Sequence, residues 1–205
     1  MAPFFLNPDN PLPTCRDGDC RGCVIADRLV CHFGGRQLVF FLALALPVFL
    51  IAGYALYRFS PVFLIPWFLL ILAYFGFIEI RVMCSHCPHY AEPVVKTLKC
   101  WANYGSPKLW KYRPGPMSGM EKAVFYAGFL LLFLPSAVFS LLQQEFLFLI
   151  LYCALLAAWK RALTVFFCRK CINFACPFNC VGEEIRRCFL EKNPEAMTAR
   201  EQGSS

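Results

Sequence analysis

Four long apolar runs, separated by polar segments of very unequal length, organise this chain. They cover residues 38–57, 61–80, 123–142 and 146–167. Each holds about 20 residues, enough for a helix to cross a hydrocarbon core roughly 30 Å thick. A backbone in lipid must satisfy its own hydrogen bonds, so each run predicts a helix and not an isolated strand. Only Arg58-Phe59-Ser60 divides the first two runs, and only Gln143-Gln144-Glu145 the last two. The predicted fold is therefore an all-α integral membrane protein with four transmembrane helices in two hairpins. Pro47, Pro66 and Pro135 are expected to kink their helices, which helices packed in lipid tolerate. Lys160 and Arg161 should mark a membrane boundary, burying their stems and carrying their charge to the headgroups.

Composition agrees. Apolar residues make up 59% of the chain and charged ones 16%, against about 25% charged in soluble domains. Disorder is excluded by the same figures. The opening Met1-Ala2-Pro3-Phe4-Phe5 lacks a basic start and a cleavage pattern, so no signal peptide is expected.

The net charge is +7, and its placement sets the orientation. Nineteen of the twenty Lys and Arg residues fall before the first run, between the second and third, or from Lys160 onward. Arg58 alone lies in the two short turns. The positive-inside rule then places both termini and the long middle loop in the cytoplasm, at the cell inner (cytoplasmic) membrane. The chain divides into a cytoplasmic Cys-rich segment (1–36), a first transmembrane hairpin (37–80) and a cytoplasmic Cys/His loop (81–122). A second hairpin (123–167), a Cys-rich tail motif (168–192) and a mobile tail (193–205) follow. The three cytoplasmic segments are too small to form a stable cap without a staple.

Thirteen cysteines supply candidates for that staple. Cys153 lies within the fourth run and reads as a small buried packing residue. The others are Cys15, Cys20, Cys23 and Cys31 before the first run, Cys84, Cys87 and Cys100 in the middle loop, and Cys168, Cys171, Cys176, Cys180 and Cys188 in the tail. A reducing compartment disfavours disulfides among them and favours metal ligation. His32, His86 and His89 are the only histidines, and each stands close to cysteines where it could replace a thiolate.

The densest motif is Cys168-Arg-Lys-Cys171-Ile-Asn-Phe-Ala-Cys176-Pro177-Phe-Asn-Cys180, with gaps of two, four and three residues. Bacterial ferredoxins use gaps of two, two and three with a proline after the last cysteine, and zinc knuckles use gaps near two and four. Cys84-Ser-His-Cys87-Pro88 and Cys20-Arg-Gly-Cys23 are two further pairs, needing ligands from Cys15, Cys31, Cys100 or Cys188. Spacing leaves the metal open between [4Fe–4S] clusters and zinc, and the two Cys-Pro steps tilt it towards iron–sulfur.

In its membrane helices and its cytoplasmic cysteine motifs with Cys-Pro, the chain resembles the membrane-anchored polyferredoxins that serve quinol-oxidising nitrate and nitrous-oxide reductase systems. That resemblance implies an electron-transfer subunit, not a stand-alone enzyme, whose partners are membrane lipid, redox subunits and a quinone. The alternative is a zinc-stabilised membrane scaffold or assembly factor without redox activity. Cycling thiols would be a third possibility, requiring exposed cysteines of low pKa.

Other chemistries find little footing. No histidine falls within a span to ligate haem, and no charge lies at mid-membrane to carry an ion. Glu79 and Arg81 are expected at the interface. Residues 101–113 mix Trp and Tyr with Lys and Arg, as nucleic-acid binders do; beside a membrane they read as interface anchors, and no nucleic acid is expected. No phosphate loop or catalytic triad is present, and no catalytic residue is assigned.

Overall fold

The structure, a computed structural model, describes residues 20–31, 35–91, 96–98 and 100–193. Cys15, His32 and the tail from 194 onward lie outside the described residues. Among the described residues the regular structure is all helical, and the strand-like pairings are two isolated bridges, Val30 with Cys171 and Thr97 with Pro107. The helices are α1 (Gly35–Phe59), α2 (Leu64–Ala73), α3 (Glu79–Val82), α4 (Gly119–Leu142), α5 (Phe146–Phe166) and α6 (Glu183–Lys192). A π-helical turn, Tyr74–Ile78, joins α2 to α3, so the second span runs unbroken from Pro61 to His86. Four helical segments are thus long and apolar enough to cross a membrane, and the chain reads as a multi-pass membrane protein.

Packing is centred on α4. Its inner face carries Gly128, Leu132, Ser136 and Ser140, four residues apart, and α1 opposes it with Ala45, Val48, Ala52 and Ala55. Small residues at this period let two backbones approach closely in lipid, where apolar surface alone gives no preference for a helix partner. Side-chain hydrogen bonds fix the contacts. Ser136 donates to the Ala52 carbonyl at 3.0 Å, Trp67 to Leu132 at 2.9 Å, Tyr74 to Phe125 at 2.8 Å and Tyr152 to Phe133 at 3.1 Å. Each of these four bonds uses a residue of α4. The short turns make sequence hairpins, yet the tightest pair is α1 with α4. Helix α2 buries none of its residues and α5 only Tyr152, leaving broad apolar faces for lipid. Cys153 is among the exposed positions of α5, which corrects its reading as a buried packing residue: the small α5 contact is filled by Tyr152 instead.

The two short turns meet at one end. Arg58 pairs with Glu145 at 2.7 Å, and Phe59 stacks on Phe139 with ring centroids 4.1 Å apart. At the opposite end, α6 and the described parts of the middle loop and of residues 20–31 share a core of Ile25, Leu29, Trp101, Phe167, Ile172 and Phe189.

Candidate metal centre

Each cysteine pair is built on a tight turn. In Cys84–Cys87 a 3-10 turn is closed by the Cys87 N–H on the Cys84 carbonyl at 2.9 Å, and Pro88 then starts a second such turn. Side chains three apart eclipse in this geometry, so both thiols face the same way. Cys20–Cys23 closes likewise at 3.1 Å, with Gly22 at φ +83° supplying the left-handed residue that a side chain would strain. The tail loop is shaped by Asn179, whose amide donates to the Cys171 and Asn173 carbonyls at 2.7 and 3.0 Å while its oxygen accepts from the Val181 N–H. Cys180 closes the loop by donating its N–H to the Cys168 carbonyl at 3.1 Å.

Tail and middle loop are tied together. Asn173 donates to the Met83 carbonyl at 3.4 Å, immediately before Cys84, and Val30 donates to Lys170 at 2.9 Å, drawing in the first segment. Cys87 is buried in the cap core, with Cys100 and Cys171 packed against it, and Cys23, Cys31 and Cys188 also touch that core. Cys20 and Cys180 are exposed, and Cys168 and Cys176 partly covered. The four tail cysteines thus differ in exposure, with Cys180 held to Cys168 through the backbone. Among the described residues, no three of His, Cys, Asp and Glu stand at the spacing that holds a single metal ion.

Burial controls the chemistry of the inner thiols. It pushes Cys100 up to about 11, against the pull of the Asn103 and Ala102 N–H groups, and Cys176 up to about 12. Cys87 and Cys171 are raised by burial too, and further by nearby sulfurs: Cys100 and Cys176 act on both. Such thiols are protonated and inert towards electrophiles at neutral pH, which argues against cycling nucleophiles. A thiophilic cation would change that, since binding it releases the proton.

Asn103, absent from the sequence-based candidates, is the residue that organises the sulfurs. It is 8% exposed. Its backbone N–H reaches Cys100 Sγ at 3.2 Å, and its amide Nδ2 reaches both Cys84 Sγ at 3.4 Å and Glu79 Oε2 at 3.1 Å. Hydrogen bonds to sulfur stabilise thiolate and tune bound clusters, so this donor set fits thiolate ligation of a metal. The signal in the sequence is the spacing Cys100-Trp-Ala-Asn103, where one turn returns an N–H to the sulfur. Glu79 is only 5% exposed and lies beneath the middle loop, where it accepts from Asn103.

The histidines divide differently. His86 presents Nδ1 to the Gly115 carbonyl at 3.1 Å and Nε2 to Glu121 Oε2 at 3.4 Å, a contact that becomes an ion pair on protonation and lacks the alignment of a full hydrogen bond. It thus docks the Cys84–Cys87 turn onto the start of α4. His89 is buried beside it on the Pro88–Tyr90 turn. Among the expected anchors, Trp110 is exposed with the Arg81 guanidinium 5.8 Å over its ring, whereas Trp101 is a core residue packed edge-on to Phe167 at 4.9 Å. Lys160 turns back over the Phe178 ring at 4.2 Å, joining α5 to the tail motif.

Compared with protein-family models, curated proteins and solved structures, the chain matches none.

Proposed function

We propose that the chain is a membrane-anchored iron–sulfur protein that transfers electrons at the cytoplasmic face of the inner membrane. The observation that carries this reading is the gathering of middle-loop and tail thiols at one end of the bundle, with N–H donors aimed at the sulfurs of Cys84 and Cys100. When bound, a cluster supplies a one-electron donor and acceptor whose potential depends on burial and hydrogen bonding. The chain's part is to exclude water with Trp101, Phe167, Ile172 and Phe189, and to hold the sulfurs in place. The basic residues crowded at this end support a cytoplasmic orientation. A quinone in the membrane or a partner redox subunit is the exchange partner that such a position serves.

A zinc-stapled scaffold is the rival, favoured by how little regular structure the cap has: one ten-residue helix, short turns and two isolated bridges. A closed zinc site would lend it rigidity. Purification without oxygen, with iron, zinc and acid-labile sulfide measured per chain, separates the two. Iron and sulfide in matching amounts, with broad absorption near 400 nm, support electron transfer. Zinc without sulfide overturns it.

A further inference from the structure

The tail motif reads in sequence as one self-contained set of four ligands, and the fold gives those four cysteines different exposures. Cys100 and Cys171 both pack against the cap core that contains Cys87, while Cys180 is exposed. Asn173, between Cys171 and Cys176, bonds the backbone next to Cys84. Cys176 donates its N–H to the Asn173 carbonyl at 3.2 Å, which turns it back towards the same side. From the middle loop, Cys84 and Cys100 are linked through a single residue, Asn103, whose two N–H groups serve the two sulfurs.

We propose that Cys84, Cys87 and Cys100 of the middle loop and the inner tail cysteines Cys171 and Cys176 form one shared thiolate metal site, with Asn103 as its positioning residue. This rests on the reading that the cap holds metal. The metal then locks the loop after the second span to the tail after the fourth, so that the site staples two spans that are far apart in sequence. Cys168 and Cys180 are not ligands of this site. Asn103 keeps the Cys84 sulfur turned inward and stabilises its thiolate form.

The test uses the full-length protein in detergent. Serine at Cys84, Cys87 or Cys100, or at Cys171 and Cys176 together, should each remove the same amount of metal per chain. The Cys168→Ser/Cys180→Ser double variant should retain that amount. The proposal is overturned if Cys100→Ser keeps the full metal content while the Cys168/Cys180 variant loses it, for then the tail motif binds alone. Counting iron, sulfide and zinc keeps the grouping separate from the identity of the metal. A wild-type protein with none of the three sinks the metal reading itself. Should a serine variant not fold, the wild-type chain is treated with a chelator and alkylated. The five inner cysteines should gain reactivity together, and a gain confined to Cys168, Cys171, Cys176 and Cys180 overturns the grouping.

For Asn103, Asn103→Ala should lose metal to a chelator with an affinity weakened about 10–100-fold. Glu79→Ala is the control, because it removes the carboxylate yet leaves the Asn103 donor to Cys84. If both variants lose metal equally, Asn103 only ties down Glu79, and its positioning role is overturned.

Discussion

The ring of Tyr74 fills the space in which a side chain at Gly128 would begin. A Cβ on Gly128 would stand 1.8 Å from Tyr74 Cε2. Tyr74 is also held from its far end by the hydrogen bond to the Phe125 carbonyl, one turn away on α4. The ring therefore cannot swing aside without giving up a buried hydrogen bond. Gly128→Ala should destabilise the bundle by about 1–3 kcal/mol, the usual cost of overpacking. Thermal unfolding in detergent reads this, and in a Tyr74→Ala background the loss should largely vanish. Equal losses in both backgrounds would mean that the two residues do not meet.

Glu121 is the point at which the cap is fastened to α4. It completes a capping box with Ser118, whose hydroxyl accepts the Glu121 N–H at 3.2 Å. Its carboxylate also receives Arg81 at 3.3 Å and is tightly paired with Arg113. Ser118→Ala should cost about 1 kcal/mol, the usual value of an N-cap. Glu121→Ala should cost more, about 2–3 kcal/mol, because it leaves Arg81 and Arg113 without their acceptor. Limited proteolysis of the middle loop is the readout; a loop no more sensitive in Glu121→Ala than in Ser118→Ala would contradict this.

At the other end, the Arg58–Glu145 pair is half exposed, which weakens it. A double-mutant cycle should return a coupling near zero that fades with added salt. A large coupling that salt leaves unchanged would show that the two turns depend on this contact for their association.

Four crossings place the described ends of the chain, at residues 20 and 193, on one side and the two short turns on the other. A protease site inserted between Gln143 and Gln144 should be cut only from the side opposite a C-terminal tag, tested in vesicles of known orientation. Cleavage of both from one side would remove a span from the fold.

The four spans, their short turns and the segregation of charge were legible because each is a one-dimensional property. The cost of an unsatisfied backbone in lipid demands long apolar helices whatever packs against them. Expectations failed where the answer depended on what lay opposite a residue. Cys153 was expected inside and faces outward; Trp101 was expected as an anchor and packs in the cap core.

The candidate site shows the same division. Cysteine types and their two-residue gaps, read from the chain alone, mark out the thiols and the chemistry they can support, since those depend on local reach. Which thiols meet is another matter. Cys87 and Cys171 lie 84 positions apart, and their proximity follows from α1 and α4 packing through small residues, α5 returning beside them, and Asn173 bonding to Met83. Asn103 gains its role in the same way, because a polar amide acquires partners only when the fold buries it among groups that water can no longer satisfy.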